Sequence, residues 1–161
     1  MTTTEYNKCV DLYSDNIYRF ALKNVRDSNT ANDIVQDTYL RLWQHVKEVD
    51  FERVKSYLFR ITNNLIIDLY RKNKFVADIE NISQENYSYN HEYSDLKESL
   101  DKAIKTLSNI QRTVILLRDY EGYSYDEIGE ITGLTQSQVK VYIYRGRKKM
   151  KDHLIKSGVE L

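Results

Sequence analysis

GYSYDEIGEITGLTQSQVKVYIYRGRKKM, residues Gly122–Met150, is the stretch whose reading decides the fold. Two short helical patterns flank a tight turn, and a basic tail follows. Gly129 is a small residue where two helices have to cross closely, and Gly133 supplies the permissive backbone that a tight turn needs. Leu134 follows, then Val139 and Ile143 at helical spacing to pack the second helix onto the first. Both helix starts carry capping-box patterns, Ser124-x-x-Glu127 and Thr135-x-x-Gln138, in which side chains satisfy the orphan N–H groups of the first turn. The pattern is that of a helix-turn-helix whose second helix presents Gln136, Ser137, Gln138, Lys140, Val141 and Tyr144 outward. Side chains near the start of such a helix can reach base edges in a major groove. A polar helical hairpin without any such role has the same local pattern, so the remainder of the chain has to discriminate.

The 161 residues allow one domain or two small ones. With 41% hydrophobic residues there is enough apolar material for a core, although pieces of about 60–70 residues are only marginally stable alone. The absence of proline and the presence of only five glycines favour long helices over β-structure. No apolar run approaches the roughly 20 residues needed to span a membrane, so direct membrane insertion is not expected. Glu5, Asp11, Asp15 and Asn16 interrupt the first 20 residues, so no signal peptide is visible and a cytoplasmic location is expected. The single cysteine, Cys9, lies on an apolar helical stripe and reads as core in a reducing compartment.

The formal net charge is zero, but the charge is segregated. Residues 51–75 carry six Lys/Arg against two Asp/Glu, residues 76–101 carry one against seven, and residues 136–161 carry seven against two. Two basic blocks therefore flank an acidic one, and such blocks make local fields despite the neutral total.

Along the chain, Tyr6, Cys9, Val10, Tyr13, Ile17, Phe20 and Ala21 show helix periodicity over residues 5–25, broken by Asp27, Ser28 and Asn29. Thr30 is placed to cap a second helix over 31–47, with Ile34, Val35, Thr38, Leu42, Trp43 and Val46 buried. A turn at Lys47–Asp50 leads to a third helix over 51–72, whose core side is Val54, Tyr57, Leu58, Ile61, Leu65 and Leu69. Residues 76–92, rich in Asn, Ser and Glu, read as an acidic linker. Helical spacing resumes at Tyr93, Leu96, Leu100, Ile104 and Leu107, continues through Ile110, Val114 and Leu117, and runs into the helix-turn-helix. The predicted architecture is all-α: two small helical domains, 1–75 and 93–161, joined by a flexible linker, with the helix-turn-helix in the second.

Two further surfaces stand out. On the second helix, Asp33, Gln36, Asp37, Leu40 and Gln44 share one side. A solvated face explains the polar members; a leucine among acids and amides equally suits a protein interface. On the third, Arg60, Asn63, Asn64, Ile67 and Arg71 line one side, with Lys72 and Lys74 at its end. Basic residues and asparagine there can contact phosphates or bases, or simply face water. Phe51, beside basic residues in the loop 47–53, either stacks on an unpaired base or starts the helix as a core residue.

In combination these pieces resemble the extracytoplasmic-function sigma factors, the smallest class of the sigma-70 family of bacterial RNA polymerase specificity subunits. ANDIVQDTYLRLW (31–43) is similar to the family's polymerase-binding helix, and YLFRITNNLIIDLYRK (57–72), with Asn64 and Asp68, to its promoter-opening helix. LSNIQRTVILL (107–117) and residues 122–150 are similar to its second domain, and the direct linker fits a class that lacks the intervening domain. The resemblance implies that Asp33, Gln36, Asp37, Leu40 and Arg41 dock on the clamp helices of the largest subunit of core RNA polymerase, and that the polymerase flap is a further contact. It implies that Phe51, Arg53, Arg60, Asn63, Asn64, Arg71 and Lys72 engage the minus-ten promoter element. Gln136, Ser137, Gln138, Lys140, Val141, Tyr144, Arg145 and Lys148 would then read the minus-thirty-five element, and the linker would thread towards the RNA exit path. It also implies restraint by an anti-sigma factor, often membrane-bound in this family, and no cofactor or metal. Three positions depart from the family pattern. Ser108 replaces the usual proline, which makes its loop less rigid. Val141 and Tyr142 stand where Ser and Arg are common, so base preference does not carry over. Gly146 replaces alanine, which weakens its helix by up to about 1 kcal/mol.

A conventional helix-turn-helix regulator accounts for the second half of the chain but leaves the first half and the two-sided second helix without a role. An enzyme has less support: His45, His91 and His153 are isolated, and no Gly-rich phosphate loop follows a strand. The acidic block raises one more expectation, that Asp78, Glu80, Glu85 and Glu92 screen the basic helix from DNA in the free protein; a merely solvated linker is the other reading.

Overall fold

The computed structural model describes residues 1–76 and 94–159, and every element among them is helical. The chain divides into two compact units, Met1–Glu85 and Asn86–Leu161. The acidic stretch from residue 77 onward, with Asp78, Glu80, Glu85, Glu92 and Tyr93, lies outside the described residues, and so does the expectation that it screens DNA.

The first unit is a three-helix arrangement. Helix α1 (Thr3–Val25) starts at a capping box in which Glu5 N donates to Thr2 Oγ1 (3.1 Å) and Thr2 N to Glu5 Oε2 (2.8 Å). It stops at Arg26, whose left-handed φ of 59° costs a non-glycine residue roughly 1 kcal/mol or more. Helix α2 (Ser28–Gln44) begins three residues earlier than the sequence predicts. Asp27, not Thr30, is its cap: the carboxylate accepts from Thr30 N (3.0 Å) and Thr30 Oγ1 (2.6 Å). Those hydrogen bonds hold the Asp27 carboxyl below its ordinary pKa. This contribution is present above the normal carboxylate range and is lost as pH falls through the lowered value. Asp50 then caps a 3-10 turn (Phe51–Arg53), which leads into α3 (Val54–Val76).

Cys9, Ile17, Phe20 and Ala21 of α1 meet Ala31, Ile34, Tyr39 and Leu42 of α2 and Val54, Leu58, Phe59, Ile61 and Ile66 of α3 in the core. Phe20 and Phe59 pack edge to face at 5.4 Å. Polar side chains lace the helices as well. Tyr6 donates to the Tyr39 carbonyl (3.0 Å), and Tyr39 returns a bond to the Cys9 carbonyl (3.2 Å). Burial pushes the Tyr39 phenol up to about 12. Between α2 and α3 the hydroxyls of Thr38 and Thr62 lie 3.1 Å apart, each also within reach of its own preceding turn's carbonyl. Several core expectations change here, Tyr57, Leu65 and Leu69 of α3 being only half-buried. Tyr39 is core, whereas Trp43 is 46% exposed near the end of α2, resting on Tyr6 with ring centroids 5.0 Å apart. Val35 and Val46 are only half-buried.

The second unit consists of α4 (Ser94–Lys105), α5 (Asn109–Ile115) continued by a π-turn (Leu116–Tyr120), α6 (Tyr125–Thr132) and α7 (Gln136–Lys156). Helix α7 packs on α4, α5 and α6, so it is the hub of the unit. Leu96, expected in the core, is 60% exposed at the start of α4; burial begins in earnest at Ala103 and Ile104. The α4–α5 junction is organised by Arg112, only 4% exposed. Its Nε donates to the Ile104 carbonyl (3.3 Å), its Nη2 to those of Lys105 (3.4 Å) and Leu107 (2.9 Å), and its Nη1 to Asn109 Oδ1 (3.3 Å). The last carbonyls of a helix have no partner within it and carry the negative end of its dipole, so a cation is favoured there. Ser108 completes the junction as the α5 cap, sharing a reciprocal box with Gln111. The loop predicted to be loosened by the loss of proline is therefore hydrogen-bonded at both ends.

Arg112→Met is expected to lower unfolding free energy by about 2–4 kcal/mol, because buried carbonyls lose their donor. Arg112→Lys is expected to recover only part of this, since one ammonium cannot reproduce the fork. Urea denaturation followed by circular dichroism reads both; wild-type stability in the Met variant would contradict this account.

Candidate nucleic-acid and partner interfaces

The turn between α6 and α7 is built as the glycine spacing demands, with one change. Gly133 is left-handed (φ 80°), and its N–H donates to the Gly129 carbonyl at 2.8 Å. Gly129 is required for a different contact from the one expected: a Cβ there would lie 2.9 Å from the Leu134 carbonyl oxygen, so it makes room for turn backbone rather than for a crossing helix. Ser124–Glu127 and Thr135–Gln138 both form complete capping boxes. Val139, Ile143, Gly146 and Leu154 form the buried side of α7. All eight residues assigned to its reading face, Gln136, Ser137, Gln138, Lys140, Val141, Tyr144, Arg145 and Lys148, are exposed. Ser137, Val141, Tyr144 and Lys148 recur at i, i+4, i+7 and i+11, opposite the buried stripe. Val141 (43% exposed) and Tyr144 (69% exposed) make the centre of that face partly apolar.

In the first unit Asp33, Gln36, Asp37, Leu40 and Arg41 are exposed on α2. Leu40 is 55% exposed, and Trp43, three residues on, extends the same face. The sequence reading missed Trp43 because its hydrophobicity suggested core; its i+7 spacing from Gln36 was the available signal. On α3, Arg60, Asn64, Arg71 and Lys72 are exposed with Ile67 between them. Asn63 is not part of this face. It is 3% exposed, four residues from buried Phe59 and three from buried Ile66, so it belongs to the packed stripe. Arg53 is exposed, whereas Phe51 is half-buried with the Lys8 ammonium 5.7 Å from its ring centroid. The basic face of α3 and the apolar-acidic face of α2 thus lie on different helices of one small unit.

Residues 9–76 match the family model described as Sigma-70 region 2, and residues 97–150 match Sigma-70, region 4. The ECF RNA polymerase sigma factor SigW of Bacillus subtilis (strain 168) is 30% identical over 161 residues, with 90% of this chain and 86% of SigW covered. This chain belongs to the ECF RNA polymerase sigma factors. The RNA polymerase sigma factor SigV of the same organism is 31% identical, with 94% of this chain and 92% of SigV covered. Against the ECF RNA polymerase sigma factor SigE of Mycolicibacterium smegmatis (strain ATCC 700084 / mc(2)155), identity is 29% and 96% of this chain is covered, but the chain spans 63% of SigE. Among solved structures, the sigma factor RpoE from Bartonella quintana, crystallised with the anti-sigma factor NepR, matches at a TM-score of 0.81 and 25% identity, over 94% of this chain and 98% of that one.

Within this ECF sigma factor, Gly146 has a structural reason that propensity alone misses. A Cβ at Gly146 would lie 2.9 Å from Ile115 Cγ1, so the glycine lets α7 approach α5 closely. Gly146→Ala gains about 1 kcal/mol of helix propensity but meets an overpacking cost of about 1–3 kcal/mol. Net destabilisation is expected in the wild-type background, and net stabilisation where Ile115 has been replaced by Ala. Urea titrations of the four proteins check the sign change; stabilisation in both backgrounds would show that Ile115 yields freely.

Proposed function

We propose that this sigma factor joins core RNA polymerase through the exposed face of α2 and carries two promoter contacts, one on α3 and one on α7. The observation that carries the reading is the pairing of two family regions, in sigma order, with three helix faces that are exposed and chemically distinct. Residues 1–75 form the region 2-like part and residues 93–161 the region 4-like part. Asp33, Gln36, Asp37, Leu40 and Arg41, extended by Trp43, suit a protein partner: an apolar centre gives affinity and the charged rim sets register. Docking on the clamp helices of the polymerase largest subunit fits this face.

Arg60, Asn64, Arg71 and Lys72, with Arg53 and the accessible part of Phe51, suit the minus-ten element, where cations follow the phosphates and the aromatic ring meets an unpaired base. On α7 the polar residues nearest the amino end, Gln136, Ser137 and Gln138, are placed for base edges of the minus-thirty-five element, and Lys140, Arg145 and Lys148 for phosphates. Val141 offers only apolar contact, which suits a thymine methyl group. The protein's contribution is binding and positioning: capturing unpaired bases favours melting without covalent chemistry. It acts in the cytoplasm, where polymerase and DNA are. An anti-sigma partner is proposed as well, on the likeness to the RpoE–NepR complex. A conventional regulator is less favoured because it gives α2 and α3 no task.

Run-off transcription with purified core polymerase on a genomic promoter library tests the reading, with start sites dependent on this protein expected. Leu40→Asp is expected to reduce core polymerase affinity about tenfold or more with an unchanged melting temperature. No dependent start sites would sink the proposal; full affinity in the Leu40 variant would remove α2 as the docking face.

A further inference from the structure

The basic residues of α7 are not equivalent. Lys148 lies seven residues from Val141 and eleven from Ser137, on the side away from the core. Arg147 lies four residues from buried Ile143 and eight from buried Val139, at the edge of the packed stripe. Its guanidinium is already engaged. Nη2 donates to Asp119 Oδ1 (2.6 Å) and Nε to Asp119 Oδ2 (3.1 Å), a two-pronged fit between a planar fork and a carboxylate. The hydrogen bonds that Arg147 donates to Asp119 are the main reason that the Arg147 pKa is raised. Asp119 sits on the π-turn and Tyr125 on the first residue of α6. Arg118 rests over the Tyr125 ring at 5.0 Å and donates to the Tyr123 carbonyl at 2.8 Å. Arg147 thus ties α7 to the π-turn.

We propose that Asp119 is a positioning residue for the DNA-contacting helix: it holds Arg147, fixing α7 against the π-turn and withholding that cation from DNA phosphates. The proposal rests on the reading of α7 as a DNA-contacting helix and concerns how that helix is held and how many of its charges count. An exposed pair, here with side chains 50% and 36% accessible, adds little to stability, so its effect is on the placement of charge and helix. Removing Asp119 releases a guanidinium beside the existing basic face. Binding then gains a phosphate contact that carries no sequence information, so affinity for random duplex rises while discrimination falls.

The test uses holoenzyme, the full chain with core polymerase, on a promoter duplex and on a random duplex across a potassium chloride series. The slope of log affinity against log salt counts phosphate contacts, at about 0.9 per contact. Lys148→Ala is expected to flatten the slope by about 0.9, and Arg147→Ala to leave it unchanged. Asp119→Ala is expected to steepen it by about 0.9 and to narrow the preference for promoter over random duplex several-fold. The double variant Asp119→Ala/Arg147→Ala is expected to return to the wild-type slope. A silent Asp119→Ala, or an Arg147→Ala as flat as Lys148→Ala, overturns the proposal while leaving α7 as a DNA contact. A silent Lys148→Ala overturns the reading of α7 itself, and the proposal with it. Melting temperatures of the variants show that each is folded, and Asp119→Asn, which keeps the shape and removes the charge, is expected to steepen the slope in the same direction.

Discussion

The burial of one side of α7 is the constraint on which the second unit depends. A helix can present a defined face to a partner only if its other face is pinned, because most helical stability in a protein comes from tertiary packing of one face. Val139 and Ile143 pin the amino-terminal half, Leu154 the carboxy-terminal half, and Gly146 lets Ile115 approach between them. The turn before α7 obeys the same requirement. Gly133 takes the left-handed conformation, and Gly129 leaves space for the Leu134 carbonyl. What remains outward is a strip centred on Ser137, Val141, Tyr144 and Lys148. Its direction follows from the packing, not from any preference of those side chains.

Small units bury little apolar area, and this chain compensates with polar side chains that bridge backbone. In the first unit Tyr6 and Tyr39 each donate to a carbonyl of the other's helix, and Tyr70 donates to the Asn24 carbonyl at 2.6 Å. In the second, Arg112 spends its guanidinium on the end of α4. These bonds fix helix register more sharply than apolar contacts do, because hydrogen bonds tolerate little displacement. Register matters here: on α2 and α3, rotation about the helix axis decides whether Leu40, Trp43, Arg60 and Asn64 face outward.

Neutral overall charge and a DNA-binding role are compatible because the cations are placed unevenly. Arg60, Arg71 and Lys72 gather on α3, and Lys140, Arg145 and Lys148 on α7. Asp33 and Asp37 are exposed instead on α2. Even within the basic helix, one arginine is neutralised by Asp119. A count of Lys and Arg along the sequence therefore overstates the charge presented to a phosphate backbone.

Much was legible in the chain itself. Capping boxes at Ser124 and Thr135, the glycine pair at 129 and 133, and helical spacing through both halves determined an all-α chain with a helix-turn-helix, because these signals are local and act over three or four residues. The exposed sides of α2 and α7 were legible for the same reason, as complements of apolar stripes. Tertiary structure decided the positions where hydrophobicity and burial part company. Trp43 is large and apolar but lies beyond the core packing, near the end of α2; Leu96 lies near the start of α4. Asn63 is polar but falls on the buried stripe, and Arg112 is charged but matched to carbonyls brought together only by the α4–α5 junction. Gly146 and the Asp119–Arg147 bridge depend on residues 31 and 28 positions apart in the chain. No local pattern contains such pairs; they exist only once α7 has packed against the elements before it.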